Sequence, residues 1–596
     1  MRAVVVGMLI GGVMCLSNLY VFFKTGWSMG VTITAGILAF SVFRLASLAK
    51  LTDKPLTALE NNALTTVASG AGYMTGGGNM AAYGALLMMI VTHESLKRPD
   101  TLPMILWFAV IAALGVFAAI PIKRQLINKE QLAFPTGTAT AETLETLHAT
   151  AGAGAASGEG SQKARALGIA AAVAAVLAWV RDVKADWMPF NVPAKIPLGF
   201  KVAGKNAATW TIELKTEVVL VGAGALMSFR TAWSLLLGSV LTYGVLAPAM
   251  VADGVIKETV DKDLYKNIVQ WTVWPGASML VASGLASFLF DWRSVVRSFS
   301  GMTRIFSRNK GPSDPIDEVE CPSWWFPAGF VVLAPIVVAL MVYLFQIPWW
   351  AGVIAVPLAV VMGFIAARVT GDTDVTPTKA LGPVTQGIFG ALTPGNLAGN
   401  IMSANVTGGI GLHAADLLTT LKTGWLLGGN PRAQFRAQLF GVVAGSLLIV
   451  PAFNLLIPDP SKLGGEDWPA PSCLVWAGVS EIFVNGLSVL GPEARLGILI
   501  GAALGIALAL LEKLAPKPLR PFIPSPSGLG IAMVIPASNG FAMFLGGLLA
   551  ELVRRTWKTL ANKLVVPIAS GLIAGESLMA VAIVLLRDVA GWLPKG

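Results

Sequence analysis

The sequence predicts an all-α polytopic membrane protein of about 14 to 16 transmembrane segments in two repeated halves, with broken or re-entrant helices and a small polar hairpin insertion. Hydrophobic residues make up 55% of the 596 and charged residues 13%, a balance outside the range of soluble domains. Apolar runs of roughly twenty residues, enough to cross a hydrocarbon core, recur along the whole chain. The chain also repeats itself: residues 275–285 read PGASMLVASGL and residues 567–578 read PIASGLIAGESL, the later copy placing Glu576 inside its apolar run.

In chain order, residues 4–23, 31–48, 101–120, 271–290, 326–345, 350–367, 439–457, 496–514 and 564–586 read as single spans, and 218–251 as a close or broken pair. Two regions are longer and interrupted. Residues 56–92 carry Gly-Tyr-Met-Thr-Gly-Gly-Gly at their middle, and residues 383–427 carry Pro394-Gly395 and Gly408-Gly409. Irregular backbone at membrane depth survives where protein or water satisfies its polar groups, so both regions are expected to be broken and to line a cavity. Glycines at Gly7 and Gly11, and at Gly501 and Gly505, have the spacing of close helix packing.

The remaining segments are polar. Residues 149–160 form a low-complexity linker. Residues 181–217 hold two expected strands, 198–202 and 209–214, around Gly204-Lys205-Asn206. The hydrophilic stretch 293–322 lies where two halves would join, which gives a first half of 1–302, a connector at 303–322 and a second half of 323–596. A second pairing supports the duplication: residues 222–241 align with 530–549, setting Gly238 on Gly546 and Trp233 on Phe541.

The net charge of +10 reflects Lys and Arg in loops, with basic clusters after the second and third spans pointing to a cytoplasmic N-terminus; it is not a nucleic-acid signature. Cys15, Cys321 and Cys473 are too scattered for a disulfide framework or a zinc site. His93, His148 and His413 form no HExxH pair, and GFKVAGKN at 199–206 ends in Asn where a P-loop needs Ser or Thr. No cofactor is implied, and secondary transport or a channel is left as the function class.

Polar groups within apolar runs are the candidates for function, because an ionisable residue there needs a partner, water or a bundle interior. Glu60, Asn61 and Asn62 open the first interrupted region. Asn400, Asn405, His413, Asp416 and Lys422 occupy the second. On a continuous helix His413 and Asp416 could meet, whereas Asp416 and Lys422 face different ways. Glu142 lies in FPTGTATAETLETL, where Glu145 reads as part of a solvated face, and Glu576 lies deep in the last span.

Several stretches together resemble the oligopeptide transporter family, in particular its prokaryotic branch related to the yellow-stripe-like metal-chelate transporters. They are SNLYVFFKTGWSMGVTITAGIL near the start, LENNALTTVASGAG at 59–72, LAFPTGTATAETL at 132–144, GDTDVTPTKALGPVTQGIFG at 371–390, AADLLTTLKTGWLLGGNPRAQFRAQLFG at 414–441 and GLIAGESL at 571–578. The resemblance implies a symporter, driven by protons, that imports peptides or peptide-like metal chelates by alternating access. On that basis Asn61, Asn62, Asn400, Asn405, Asp416 and Lys422 are expected at the substrate, and Glu60, Glu142, Asp374, His413 and Glu576 in proton coupling. FPTG departs from the family's FPEG, with Thr136 at the acidic position, which shifts the coupling role toward Glu142 or Glu576. The lack of a long hydrophilic N-terminal extension suggests a bacterial inner membrane, with the lipid bilayer, substrate and protons as partners and a homo-oligomer left open. A channel for small polar solutes is the rival function, and an intramembrane enzyme a more distant one.

Overall fold

Long apolar runs with few charges leave the backbone no water to bond, so the chain satisfies itself almost wholly as helix. The computed structural model describes residues 1–28, 30–50, 52, 54–149, 159–184, 187–188, 190–258, 264–290, 319–373 and 376–593. The linker expected at 149–160 and the connector at 303–322 fall mostly outside them. The first seven helices are α1 (Arg2–Thr25), α2 (Thr32–Leu48), α3 (Ala58–Gly72), α4 (Gly77–Thr92), α5 (Thr101–Lys123), α6 (Pro135–Ala149) and α7 (Glu159–Asp182). A β insertion follows, then α8 (Val218–Leu226), α9 (Phe229–Ser239), α10 (Ala247–Ala252) and α11 (Leu264–Phe290). The rest of the chain forms α12 (Trp325–Phe345), α13 (Trp349–Thr373), α14 (Thr378–Leu392), α15 (Leu397–Leu427), α16 (Pro431–Leu456), α17 (Pro471–Asn485), α18 (Pro492–Leu514), α19 (Pro526–Ala532), α20 (Ala537–Thr556) and α21 (Lys558–Val584). Among the described residues, ten helical stretches are long and apolar enough to cross a membrane by length and composition.

Three local expectations change. Residues 161–182 form a membrane-length helix that the sequence reading did not single out, because α7 opens on Gln162, Lys163 and Arg165 and continues as a weakly patterned Ala-rich run. In the insertion, β1 (Lys195–Pro197) pairs antiparallel with β4 (Glu213–Lys215), and β2 (Lys201–Val202) with β3 (Lys205–Asn206). The turn lies at Ala203–Gly204, and residues 207–210 coil as 3₁₀ helix where a strand was expected. The second interrupted region breaks only between α14 and α15, around Gly395, whose φ of 82° suits glycine. Gly408-Gly409 stays helical within α15 and instead admits Gly78 of α4 against its backbone.

Small residues set which helices touch and in which direction. Gly7 and Gly11 of α1 sit on Val67 and Ala71 of α3, and Gly441 and Gly445 of α16 sit on the same two residues, so α1, α3 and α16 run parallel. A second trio surrounds α15. Ile111 and Gly115 of α5 meet Gly409 and His413, and Gly363 of α13 meets Ile410. Arg368 near the end of α13 pairs with Glu130 just beyond α5, so these helices also share a direction. The α3–α4 pair and α15 lie antiparallel, with Ser69 beside Asp416 and Gly78 on Gly408. Outside these trios, Gly571 and Gly575 of α21 lie on Leu167 and Ala171 of α7, while Gly501 and Gly505 of α18 lie on Pro275 and Met279 of α11.

Candidate functional site

Helix α15 is the centre of the site. It runs 31 residues, and every residue from Leu397 to Gly424 is buried. Asn396 caps its start by accepting from the Gly399 N–H at 2.7 Å, and Gly428, at φ 72°, ends it. A helix buried all round whose sequence holds Asn400, Asn405, His413, Asp416 and Lys422 must find a partner for each of them inside the bundle.

Those partners come chiefly from the interrupted helix beside it. Between α3 and α4 the chain makes a short 3₁₀ turn and then extends at Gly76. The carbonyls freed there are claimed by side chains: Gly72 O accepts from Thr75 Oγ1 at 2.7 Å and from Asn18 Nδ2 at 3.3 Å, and Met74 O accepts from Asn79 Nδ2 at 3.1 Å. Asn79 also lies 3.3 Å from His413 Nε2. Asn405 donates to Gly78 O at 2.7 Å and accepts from Trp107 Nε1 at 2.7 Å, which ties α15 to α4 and α5. Asn400 donates to Gln386 O at 2.6 Å and Asn61 to Gly36 O at 3.1 Å. The Oδ1 atoms of Asn61, Asn62 and Asn400 are buried with no partner among the described residues.

Further along α15, Asp416 accepts a short hydrogen bond from Ser69 Oγ of α3 and one from Gln438 Nε2 of α16 at 2.6 Å. One turn away, Gln434 Nε2 donates to Thr420 O at 2.8 Å and to Thr66 Oγ1 at 3.3 Å. The two glutamines thus join three helices at successive turns. Lys422 is 7% exposed and makes no ion pair among the described residues. His413 and Asp416 do not meet, because the three-residue offset turns His413 toward α4 and Asp416 toward α3 and α16.

A separate polar cluster surrounds Glu576. Its Oε1 accepts from Arg181 at the end of α7 at 2.6 Å, and its Oε2 accepts from the Val219 N–H in the first turn of α8 at 2.6 Å. Arg181 also pairs with Asp182 at 2.7 Å. Glu217, just before α8, accepts from Lys24 at 3.0 Å, and the Lys24 ammonium stands over the rings of Tyr20 and Trp468. Burial alone would raise the Glu217 carboxyl, but Lys24, Lys215 and Arg181 outweigh it and hold it down to about 2.

Residues 1–587 match the family described as OPT oligopeptide transporter protein. The chain belongs to the oligopeptide transporter family. It is 24% identical to the metal-nicotianamine transporter YSL2 of Oryza sativa subsp. japonica, over 97% of this chain and 90% of the relative. It is likewise 24% identical to the probable metal-nicotianamine transporter YSL10 of the same plant, over 97% and 89%. YGL114W of Saccharomyces cerevisiae, whose name assigns it to oligopeptide transport, is 24% identical over 98% and 95%. The protein is therefore a multi-pass membrane transporter, not an enzyme.

Within this oligopeptide transporter family member, the expected site residues separate by location. Along α15, Asn405 and His413 meet α4 at Gly78 and Asn79, and Asp416 meets Ser69 of α3, whereas Asn61 bonds Gly36 O of α2, Asn400 bonds Gln386 O of α14, and Asn62 and Lys422 lie toward the other end of the pair. Glu60 stands apart: it completes a capping box with Thr57 at the start of α3 and pairs with Arg2 at 2.6 Å. Glu142 is exposed on α6, outside the packed interior, and Asp374 lies outside the described residues. Sequence reasoning passed over Ser69, Asn79, Gln434 and Gln438, which are neutral and ordinary in a membrane helix. It also passed over Arg181 and Lys24, which close apolar runs and read as flanking charges.

Proposed function

We propose that this transporter is a proton-coupled carrier that imports oligopeptides or peptide-like metal chelates across a bacterial inner membrane by alternating access. The observation that carries this reading is the interrupted α3–α4 segment lying antiparallel on the fully buried α15. Near the start of α3 the amide oxygens of Asn61 and Asn62, and near the start of α15 that of Asn400, are buried without a partner among the described residues. A buried acceptor left unmade costs about 1–3 kcal/mol, and a substrate rich in N–H groups satisfies it. Lys422, free of an acidic partner among the described residues, suits a substrate carboxylate. The names of the plant relatives favour a metal–nicotianamine chelate, which brings its own metal ligands, and the name of the yeast relative favours a peptide; amides and an ammonium accept both.

The reciprocal packing supports two inverted halves, a recurrent transporter architecture. The pattern pairs α1 with α13, α3–α4 with α15, α5 with α16, α7 with α18 and α11 with α21, leaving α12 outside the repeat. The halves expected at 1–302 and 323–596 then become a repeat whose second copy begins at α13. Helices α6 and α17, at 15 residues each, are too short to cross and serve as re-entrant segments.

Purified protein in proteoliposomes tests the function with labelled di- to pentapeptides and iron–nicotianamine. A carrier gives saturable uptake and counterflow, and Lys422→Ala raises KM by about tenfold for one lost charge-assisted contact. Uptake linear in substrate without counterflow would establish the channel instead.

A further inference from the structure

We propose that the Asp416 carboxyl is the intramembrane site of the coupling proton, with the Gln438 amide as a two-position partner that signals its protonation to α3 and α16. The inference rests on the proton-driven reading above. Asp416 sits where three helices meet, and both of its partners, Ser69 and Gln438, are neutral. Among the described residues no cation pairs with it. A carboxylate at that depth is held either by a counter-charge or by a proton, and here the counter-charge is missing.

The charged and titratable groups on the surrounding helices are engaged elsewhere or turned away. On α15 itself, His413 faces Asn79, and Lys422 lies six residues on, beside Gly137 at the start of α6. Lys123 of α5 pairs with Glu320, Arg368 of α13 with Glu130, and Glu60 of α3 with Arg2. Asp372 of α13 is exposed. His148 of α6 lies against Asn61, and Glu142 and Glu145 on the same helix are exposed. Arg432 of α16 donates to Glu320 O, Arg436 is exposed, and Glu481 of α17 reaches His93. Cys473 of α17 points at Met80 O, and Tyr83 of α4 packs among Phe108 and Phe453.

Gln438 supplies the switch. Its Nε2 donates to Asp416 while its Oε1 is buried and has no partner among the described residues. When a proton adds to Asp416 Oδ2, that oxygen changes from acceptor to donor. Half a turn of the amide replaces Nε2–H···Oδ2 by Oδ2–H···Oε1, which gives the orphaned oxygen its donor and carries the Nε2–H group to the place that oxygen left. The side chain that turns is wedged against Gly70 of α3, so the turn is felt at the contact between α3 and α16. A pocket of about 280 Å³ is lined by Lys123, Glu320, Trp425, Gly429 and Gln434, and Gln434 lies one helical turn from Gln438.

The test has a substrate-free arm and a transport arm. Infrared difference spectra between acid and alkaline buffer should lose one protonated-carboxyl component in Asp416→Asn relative to the wild-type protein; superimposable difference spectra overturn the assignment. Ser69→Ala removes a donor to the ionised form, so it should move the titration midpoint of that band to higher pH, by about tenfold in proton affinity. Gln438→Ala removes the acceptor of the protonated form as well, so it should shift the protonated-carboxyl band itself toward the frequency of a free acid; an unshifted band in Gln438→Ala overturns the switch. In proteoliposomes loaded with a pH gradient, Asp416→Asn should lose substrate accumulation while retaining measurable counterflow. Wild-type accumulation in that variant, or accumulation driven by sodium and indifferent to pH, overturns the proposal. A wild-type protein that moves neither peptide nor chelate refutes the functional reading, while the infrared titration still decides on Asp416.

Discussion

Two buried carboxylates, Glu576 and Asp416, sit in opposite electrostatic settings. Glu576 is matched by Arg181 at 2.6 Å and by the Val219 N–H at the positive end of α8. Asp416 has only a hydroxyl and an amide. The first arrangement ties the acid to a fixed cation and braces α7 against α21, because moving either helix strands the Arg181 charge. The second tolerates both protonation states, since neutral donors bond a carboxylate and one of them can turn to accept from the acid. Burial alone therefore does not distinguish the two acids. What distinguishes them is the fixed counter-charge that one has and the other lacks.

That contrast is exposed most strongly by Arg181→Met, which leaves Glu576 buried and unpaired. The expected loss is about 3–5 kcal/mol, read as a fall in the thermal unfolding temperature in detergent, and Arg181→Met combined with Glu576→Leu should recover most of it. A stable Arg181→Met single variant would dissolve the distinction between the two acids. The pH dependence of the neighbouring Lys24–Glu217 pair is the next largest effect. With its carboxyl held down to about 2 against 4.5 in the unfolded chain, Glu217 contributes about 3 kcal/mol. That contribution is complete above pH 4.5 and fades as pH falls toward 2. Melting curves of wild type and Glu217→Gln should accordingly converge on acidification through that window.

Gly441→Val comes third. Gly441 touches the backbone of Val67 with no room for a side chain, so the overpacked contact should cost about 1–3 kcal/mol and pry α16 from α3 beside Asp416. The smallest effect on stability belongs to Asp416→Asn, within about 1 kcal/mol, because an amide keeps an acceptor for Ser69 in the same shape. A large loss there would mean that Asp416 is a brace like Glu576, and thermal unfolding of the two variants side by side decides it.

The repeat at 275–285 and 567–578 was legible in sequence, and both copies carry their proline inside a long helix, α11 and α21. Glu576 was legible too, as an acid where apolar residues belong. Its partner was not, for Arg181 is 395 residues away and ends a helix whose Ala-rich pattern and polar opening hid it. The helix break at Gly72–Gly78 was readable from the glycines, whereas the equally suggestive Gly408-Gly409 turned out to be a seat for Gly78. Glycine spacing does not distinguish a broken helix from a close contact until the neighbouring helix is known.

Apolar runs of membrane length, the scarcity of charge and the ordered family motifs established by themselves that this is a helical membrane transporter. Each of those signals is local, since a stretch of about twenty apolar residues partitions into lipid whatever surrounds it. The fate of every buried polar group was decided only by tertiary structure. Ser69 reaches Asp416 across 347 residues, and whether a buried acid meets a cation or only neutral donors depends on which helix the fold lays beside it.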